Sequence, residues 1–191
     1  VFWMSSRLEA RSASLRDAFL LRDGKPMTVP HRELGDQYIL DPTHPKSKAW
    51  FEEVFRTWRD WGIRYYMLDF LYSVSGSTPG KYRADHYHNR SLVPGPEAFR
   101  DSLAVIRKAA GPDTYLLVST GPTFQTVGLL DAVRAGTDYG EGRPLDGPGK
   151  GFYPATFVIN KPDYWTSHLR AVQAWATHFF VHRKLFIADS G

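Results

Sequence analysis

Two aspartates in this chain close short β-type runs. Asp69 follows Ile63-Arg64-Tyr65-Tyr66-Met67-Leu68, and Asp138 follows Val133-Arg134-Ala135-Gly136-Thr137. In parallel α/β architectures the site lies at the carboxyl ends of the strands, where side chains from several strands converge. The other residues expected at strand ends are Trp3, Ser119, Asn160 with Asp163, and Asp189. Acids at several such ends, with no phosphate-cradling glycine-rich loop among them, point to carboxylate chemistry; GxGxxG and Walker A patterns are absent. Glycoside hydrolysis uses a carboxylate pair, and a retaining enzyme sets the two groups about 5–5.5 Å apart. Asp69 and Asp138, two strands apart, can face each other across a barrel mouth. An Asp after a strand is also, and more commonly, the cap of the next helix. Asp163, directly ahead of a long helical pattern, reads as a cap first. The combination, rather than any one acid, carries the catalytic reading.

The elements that must position these residues alternate between strand and helix. Thr43-His44-Pro45 opens a helix, with Pro45 at a tolerated first-turn position. Trp50, Phe51, Val54, Phe55 and Trp58 recur at helical spacing, and Gly62 suits the stop. The strand ending at Asp69 follows at once. A second helix runs from Pro96 to Ala110, with Phe99, Leu103 and Ile106 on one face and Gly111 closing it. Thr114 to Val118 is the next strand, Val127 to Ala132 a short helix, and Val133 to Asp138 a strand. A Gly/Pro-rich loop from Gly140 to Tyr153 leads to a strand at Ala155 to Ile159, a helix from Tyr164 to Val181, and a final strand at Leu185 to Asp189. Ser12 to Leu40, with Asp23-Gly24-Lys25-Pro26, reads as a long excursion containing a turn. With Val1 to Met4 counted, six strands alternate with helices, which implies a parallel sheet. An open doubly wound sheet and part of a closed barrel fit this count equally. A full (β/α)8 barrel takes about 250 residues. The first residue is Val1 and the last strand has no following helix, so both ends read as cuts.

Composition narrows the classes. The 191 residues are 42% hydrophobic and 23% charged, as in globular proteins, and aromatics reach 15%. The net charge of +4 is spread over single Lys and Arg residues, without the basic stripe that nucleic-acid binding requires. No cysteine is present, so disulfides, thiolate metal sites and a catalytic thiol are excluded. No apolar run reaches the ~18 residues of a membrane span. Asp85-His86-Tyr87-His88 has the spacing of a metal clamp but lies in a polar loop, where a substrate-loop or solvated role ranks higher. His178 and His182 lie four apart on a helix, but Phe179 stands where the HExxH motif has Glu. Ser119 has no histidine nearby in sequence, which argues against a serine nucleophile. No metal or cofactor is expected.

Several motifs, in order, resemble those of the melibiase-type α-galactosidase families of glycoside hydrolases. Tyr38-Ile39-Leu40-Asp41-Pro42-Thr43-His44-Pro45 is similar to their LD-x-T-N-P run. Trp61-Gly62-Ile63-Arg64-Tyr65-Tyr66-Met67-Leu68-Asp69-Phe70 resembles the strand whose last acid is the nucleophile. Asp131-Ala132-Val133-Arg134-Ala135-Gly136-Thr137-Asp138 resembles D-A-x-R-x-G-x-D, whose final Asp is the acid/base. Phe157-Val158-Ile159-Asn160-Lys161-Pro162-Asp163 is similar to N-D-P-D, and Leu20 to Pro26 matches the loop that precedes these motifs.

The resemblance implies an incomplete catalytic (β/α)8 TIM-type barrel over residues 1–191, from about the third to the eighth strand, with earlier strands and any further domains missing. Trp3 then ends the third strand, Asp69 the fourth and Asp138 the sixth. It implies a retaining hydrolase of terminal α-linked sugars in oligosaccharides or glycosides: Asp69 attacks the anomeric carbon, and Asp138 protonates the leaving oxygen and then activates water. Trp3, Met67, Ser119, Arg134 and Asp163 become the substrate-binding positions. Arg134, four residues before Asp138, is expected to reach the same mouth, and Trp3 to offer either a sugar-stacking face or ordinary core filling. Three positions depart from the family pattern. Met67 stands where a Lys commonly grips sugar hydroxyls, Ser119-Thr120-Gly121 replaces a Cys-Gly turn, and Lys161 replaces an acid. Galactose specificity is therefore open, and two alternatives stand beside hydrolysis: a transglycosylase of the raffinose-synthase kind, and a barrel relative that binds carbohydrate without cutting it. An unclosed barrel exposes two sheet edges, so residues 1–191 alone are expected to be poorly soluble or inactive.

Overall fold

The computed structural model describes residues 2–5, 13–31, 35–74, 84–93, 95–119, 124–135, 169, 172–173, 176 and 186–188. The chain divides into two compact units, Val1–Val133 and Arg134–Gly191.

The first unit opens with an antiparallel sheet. Strand β1 (Trp3–Ser5) pairs with β5 (Gly35–Ile39), and β5 pairs on its other edge with β4 (Thr28–His31). A two-residue hairpin, β2 (Leu21–Arg22) with β3 (Lys25–Pro26), precedes them. Its turn is made by Asp23 and Gly24, both with positive φ, as the Asp-Gly dipeptide favours. The excursion expected over Ser12 to Leu40 is thus a small meander. Trp3 departs from expectation: its strand runs antiparallel, opposite Ile39, rather than as the end of a parallel barrel strand. The meander supplies β5 as an antiparallel partner close at hand, with Gln37 and Ile39 turned inward.

Helix α1 (Pro45–Asp60) begins as the sequence predicts. The His44 ring caps it, Nδ1 accepting from the Lys46 N–H at 3.2 Å, and Pro45 takes the first position. It buries Ser47, Phe51 and Phe55. Helix α2 (Pro96–Ala110) matches its predicted bounds and buries Phe99, Leu103 and Ile106. Gly111 ends it at φ +90°, ψ 165°, a backbone region that only glycine adopts freely. The two helices pack against each other. Phe2 fits between them, its ring 5.3 Å from Phe51 and 6.1 Å from Phe99. Each such ring, fully buried, stabilises the fold by about 1.5–3 kcal/mol.

The sheet beside the helices is parallel, as the alternating pattern requires. Strand β6 (Tyr65–Leu68) pairs with β7 (Tyr115–Val118), and β7 with β8 (Ala132–Ala135), in the register Leu68↔Val118↔Val133. Tyr66 and Leu68 turn toward the helices, where Tyr66 packs on Phe55 and Trp58. Tyr65 and Met67 lie on the opposite, exposed face. The short helix expected over Val127 to Ala132 is instead a 3-10 turn at Phe124–Thr126 followed by a turn, and β8 already starts at Ala132. Gly128, at φ +78°, interrupts that segment. Arg107 of α2 then fixes the connection. Its guanidinium donates to the carbonyls of Leu129 and Thr114 and to Asp131 Oδ2, and that same oxygen accepts the Leu116 N–H.

In the second unit, strand β9 (Phe186–Ala188) lies within the predicted final strand, and Leu169, Val172, Gln173 and Ala176 are helical, as expected of Tyr164 to Val181. No helix among the described residues is long and apolar enough to cross a membrane.

Candidate active site

Asp69 is the first residue past the carboxyl end of β6 and is half-buried. The alternation along β6 continues through it, so Tyr65, Met67 and Asp69 share the sheet face turned away from the helices. Met67 is 54% exposed there. Ser119 directly follows β7, and its N–H donates to the Leu68 carbonyl at 2.8 Å, which extends the parallel ladder to the end where Asp69 stands. Ser119 is buried. Asp69, Met67 and Ser119 are therefore brought to one end of the same pair of strands. Arg134 lies in β8, the residue after Val133, and is half-buried. Trp3 is described in its backbone alone. Asp138, Asn160, Asp163 and Asp189 lie outside the described residues.

The backbone turns sharply at the candidate nucleophile. Phe70 has φ +56° and ψ 37°, the left-handed region, and its N–H donates to Asp69 Oδ1 at 2.7 Å. A 3-10 turn over Leu71–Ser73 follows, with Leu71 and Val74 fully buried.

The segment that returns from this end of the sheet to α2 is held by two carboxylates, the distant Asp41 and its own Asp85. Asp41, only 5% exposed, accepts from the Thr43 N–H (2.8 Å) and hydroxyl (2.7 Å) through Oδ1, and from the His88 N–H (2.6 Å) through Oδ2. Thr43 Oγ1 in turn accepts the Asn89 N–H at 3.0 Å. Asp85 accepts the N–H groups of Asp23 and Gly24 at 3.0 and 3.1 Å, and these bonds hold its carboxyl below the usual range. Between the anchors Tyr87 is buried, its hydroxyl 3.5 Å from the Val74 carbonyl oxygen; burial, with Asp41 nearby, pushes that hydroxyl up to about 12. The Asp85-His86-Tyr87-His88 run is thus a clasp between the meander, the start of α1 and the turn behind Asp69. No cluster of three metal-ligating side chains occurs among the described residues. The His88 ring packs edge-on against His44, with centroids 4.5 Å apart.

The motifs already contained Asp41, Thr43 and Asp131, but the bonding roles of these residues depend on His88, Asn89 and Arg107, far away in sequence. The exposed stack of Tyr65 on Tyr115, centroids 5.7 Å apart and 6° from parallel, also went unread. Nothing local in the sequence marks it, since the two Tyr residues lie on different strands.

No family model matches the chain. Among solved structures, TtGalA, the α-galactosidase from Thermus thermophilus in complex with stachyose, aligns with 100% of this chain at a TM-score of 0.61 and 20% identity. The chain covers 36% of that protein, about a third of its length. The same α-galactosidase in complex with p-nitrophenyl α-D-galactopyranoside aligns with 69% of this chain and 24% of its own, at a TM-score of 0.50 and 26% identity. The chain has an α-galactosidase-like glycoside hydrolase fold.

Proposed function

We propose that this chain forms part of a (β/α)8 catalytic domain of a retaining glycoside hydrolase acting on terminal α-linked sugars, with Asp69 as nucleophile and Asp138 as acid/base. The observation that carries the reading is Asp69 at the carboxyl end of a parallel strand, on the face away from the helices, in a chain whose fold is similar to that of an α-galactosidase. In this mechanism an Asp69 oxygen attacks the anomeric carbon as Asp138 gives its proton to the departing glycosidic oxygen. A covalent glycosyl ester forms, and Asp138 then takes a proton from the water that cleaves it. Arg134 and Ser119 serve the sugar's hydroxyls. Met67, exposed beside Asp69, presents the sugar with an apolar contact in place of a charged donor. The solved relative with p-nitrophenyl α-D-galactopyranoside supports an α-galactoside as the first substrate to try.

One feature favours a second reading. With Met67 where the resembling families commonly carry Lys, a barrel that binds sugar without hydrolysing it fits the same geometry. Activity of the intact protein on an aryl α-galactoside, with the first-formed anomer followed by NMR, separates the two. Retention of configuration, lost in Asp69→Asn, is expected. Binding of the glycoside with no turnover by the wild type favours the binder, and an inverted first product rejects the retaining mechanism.

A further inference from the structure

Only two non-glycine residues among those described have a positive φ. One is Asp23, in a hairpin turn of the type where Asp tolerates that conformation. The other is Phe70, a bulky aromatic for which the left-handed region is strained and needs the surroundings to enforce it. The enforcement is visible. Fully buried Leu71 and Val74 fix the turn that follows, the Val74 N–H donates to the Leu71 carbonyl, and the Ser73 hydroxyl donates to the Phe70 carbonyl at 3.4 Å. The same residue also makes a contact at the site. The Phe70 N–H, on the peptide that leaves Asp69, donates to Asp69 Oδ1 at 2.7 Å, and the left-handed turn then carries the chain away from the strand.

We propose that Phe70 is a positioning residue for the glycosyl-transfer step, acting through its backbone: its N–H, 2.7 Å from Asp69 Oδ1, fixes the rotation of the Asp69 carboxylate. This inference rests on the reading of Asp69 as nucleophile. A carboxylate free to rotate about its last bond spends little time aligned for attack, and an oriented N–H donor removes that freedom. The Phe70 ring itself is only partly exposed and is not assigned a sugar contact.

The direct test removes the N–H alone. Phenyllactic acid in place of Phe70, in the intact protein, turns that amide into an ester and keeps the ring. The kcat on an aryl α-galactoside is expected to fall about 10- to 100-fold, the range for losing a hydrogen bond to a charged group, with KM within about twofold. Phe70→Gly removes the ring, keeps the N–H and adopts positive φ freely, so its kcat is expected within about threefold of wild type. If the ester variant does not fold, glycolic acid in place of Phe70 decides instead, since it differs from Phe70→Gly by the N–H alone, and the same kcat loss relative to Phe70→Gly at constant KM is expected. An ester variant with wild-type kcat, or Phe70→Gly as impaired as the ester, overturns the proposal. Asp69→Asn, run alongside, separates the two claims: if it retains activity, the nucleophile assignment fails first and takes this inference with it. If it is inactive, the Phe70 variants test the positioning role alone.

Discussion

Replacing Asp41 tests whether the clasp behind the candidate site is held as described. Asp41 is buried and accepts three hydrogen bonds, from the Thr43 N–H, the Thr43 hydroxyl and the His88 N–H. Asp41→Ala leaves the buried Thr43 N–H and hydroxyl and the part-buried His88 N–H without that acceptor. A bond to a carboxylate contributes about 1.5–3 kcal/mol net. Three bonds on one group are not additive, and water can reach the His88 side, so about 3–5 kcal/mol is expected for the set. Asp41→Asn keeps one oxygen but must set an NH2 group against one of the donors, and is expected to cost about 1.5–3 kcal/mol. Against a typical total of about 5–15 kcal/mol, either loss is easily read. Denaturant unfolding of the intact protein measures it, and amide hydrogen exchange locates it. Protection should fall at His88 and Asn89 in Asp41→Asn while the interior of α1 and α2 keeps its own. A loss under about 1 kcal/mol in Asp41→Ala, or unchanged exchange at His88 and Asn89, refutes the reasoning.

Two further outcomes follow from the geometry. Burial, and then the neighbouring His88, lowers the His44 pKa, with Asp17 and Asp41 opposing and Lys46 adding to the shift. The cap acts in the same direction, because a protonated Nδ1 cannot accept the Lys46 N–H. The folded state therefore binds fewer protons than the unfolded one. The stability from this residue is fully present above its ordinary pKa of 6.5 and is lost as pH falls below that value. Asn caps helices without titrating, so His44→Asn is expected to lose less stability than wild type between about pH 7 and 5, read from denaturation midpoints; equal losses in both contradict this. Gly111→Ala forces a side chain into a glycine-only backbone region, with the new Cβ 2.8 Å from the Arg59 guanidinium carbon. Arg59 can swing away, so the cost is mainly backbone strain, about 1–3 kcal/mol by thermal unfolding, and Arg59→Ala in the same chain is expected to recover little of it.

Both helices could be read from the sequence because their signals are local: Pro45 and Pro96 at the first turn, an apolar face at helical spacing, and Gly62 and Gly111 beyond the ends. The parallel strands were legible for the same reason, since each apolar run sits between a helix and a polar residue. Asp69 was legible because the strand reading put it at a carboxyl end. The holding contacts were not. Asp41 meets His88 47 residues later, and Asp85 meets Asp23 62 residues earlier, and nothing local marks either pairing. The motif that contains Asp131 does not announce its bond to Arg107, which gives it a bracing role. The segment from Val127 misled because its apolar residues fit a helix, whereas Gly128 and the early start of β8 leave room only for turns. Trp3 misled because extended sequence does not say which neighbour a strand pairs with, or in which direction.

The central claim, that Asp69 is the nucleophile of a retaining glycosidase, is tested most directly by trapping its ester. The intact protein is treated with an activated fluorosugar analogue of an α-galactoside, which forms the glycosyl-enzyme but hydrolyses slowly, and the labelled peptide is mapped by mass spectrometry. The account predicts a single glycosyl adduct on Asp69, with activity lost in step with labelling. Turnover of the ordinary substrate together with an adduct on another carboxylate would contradict it.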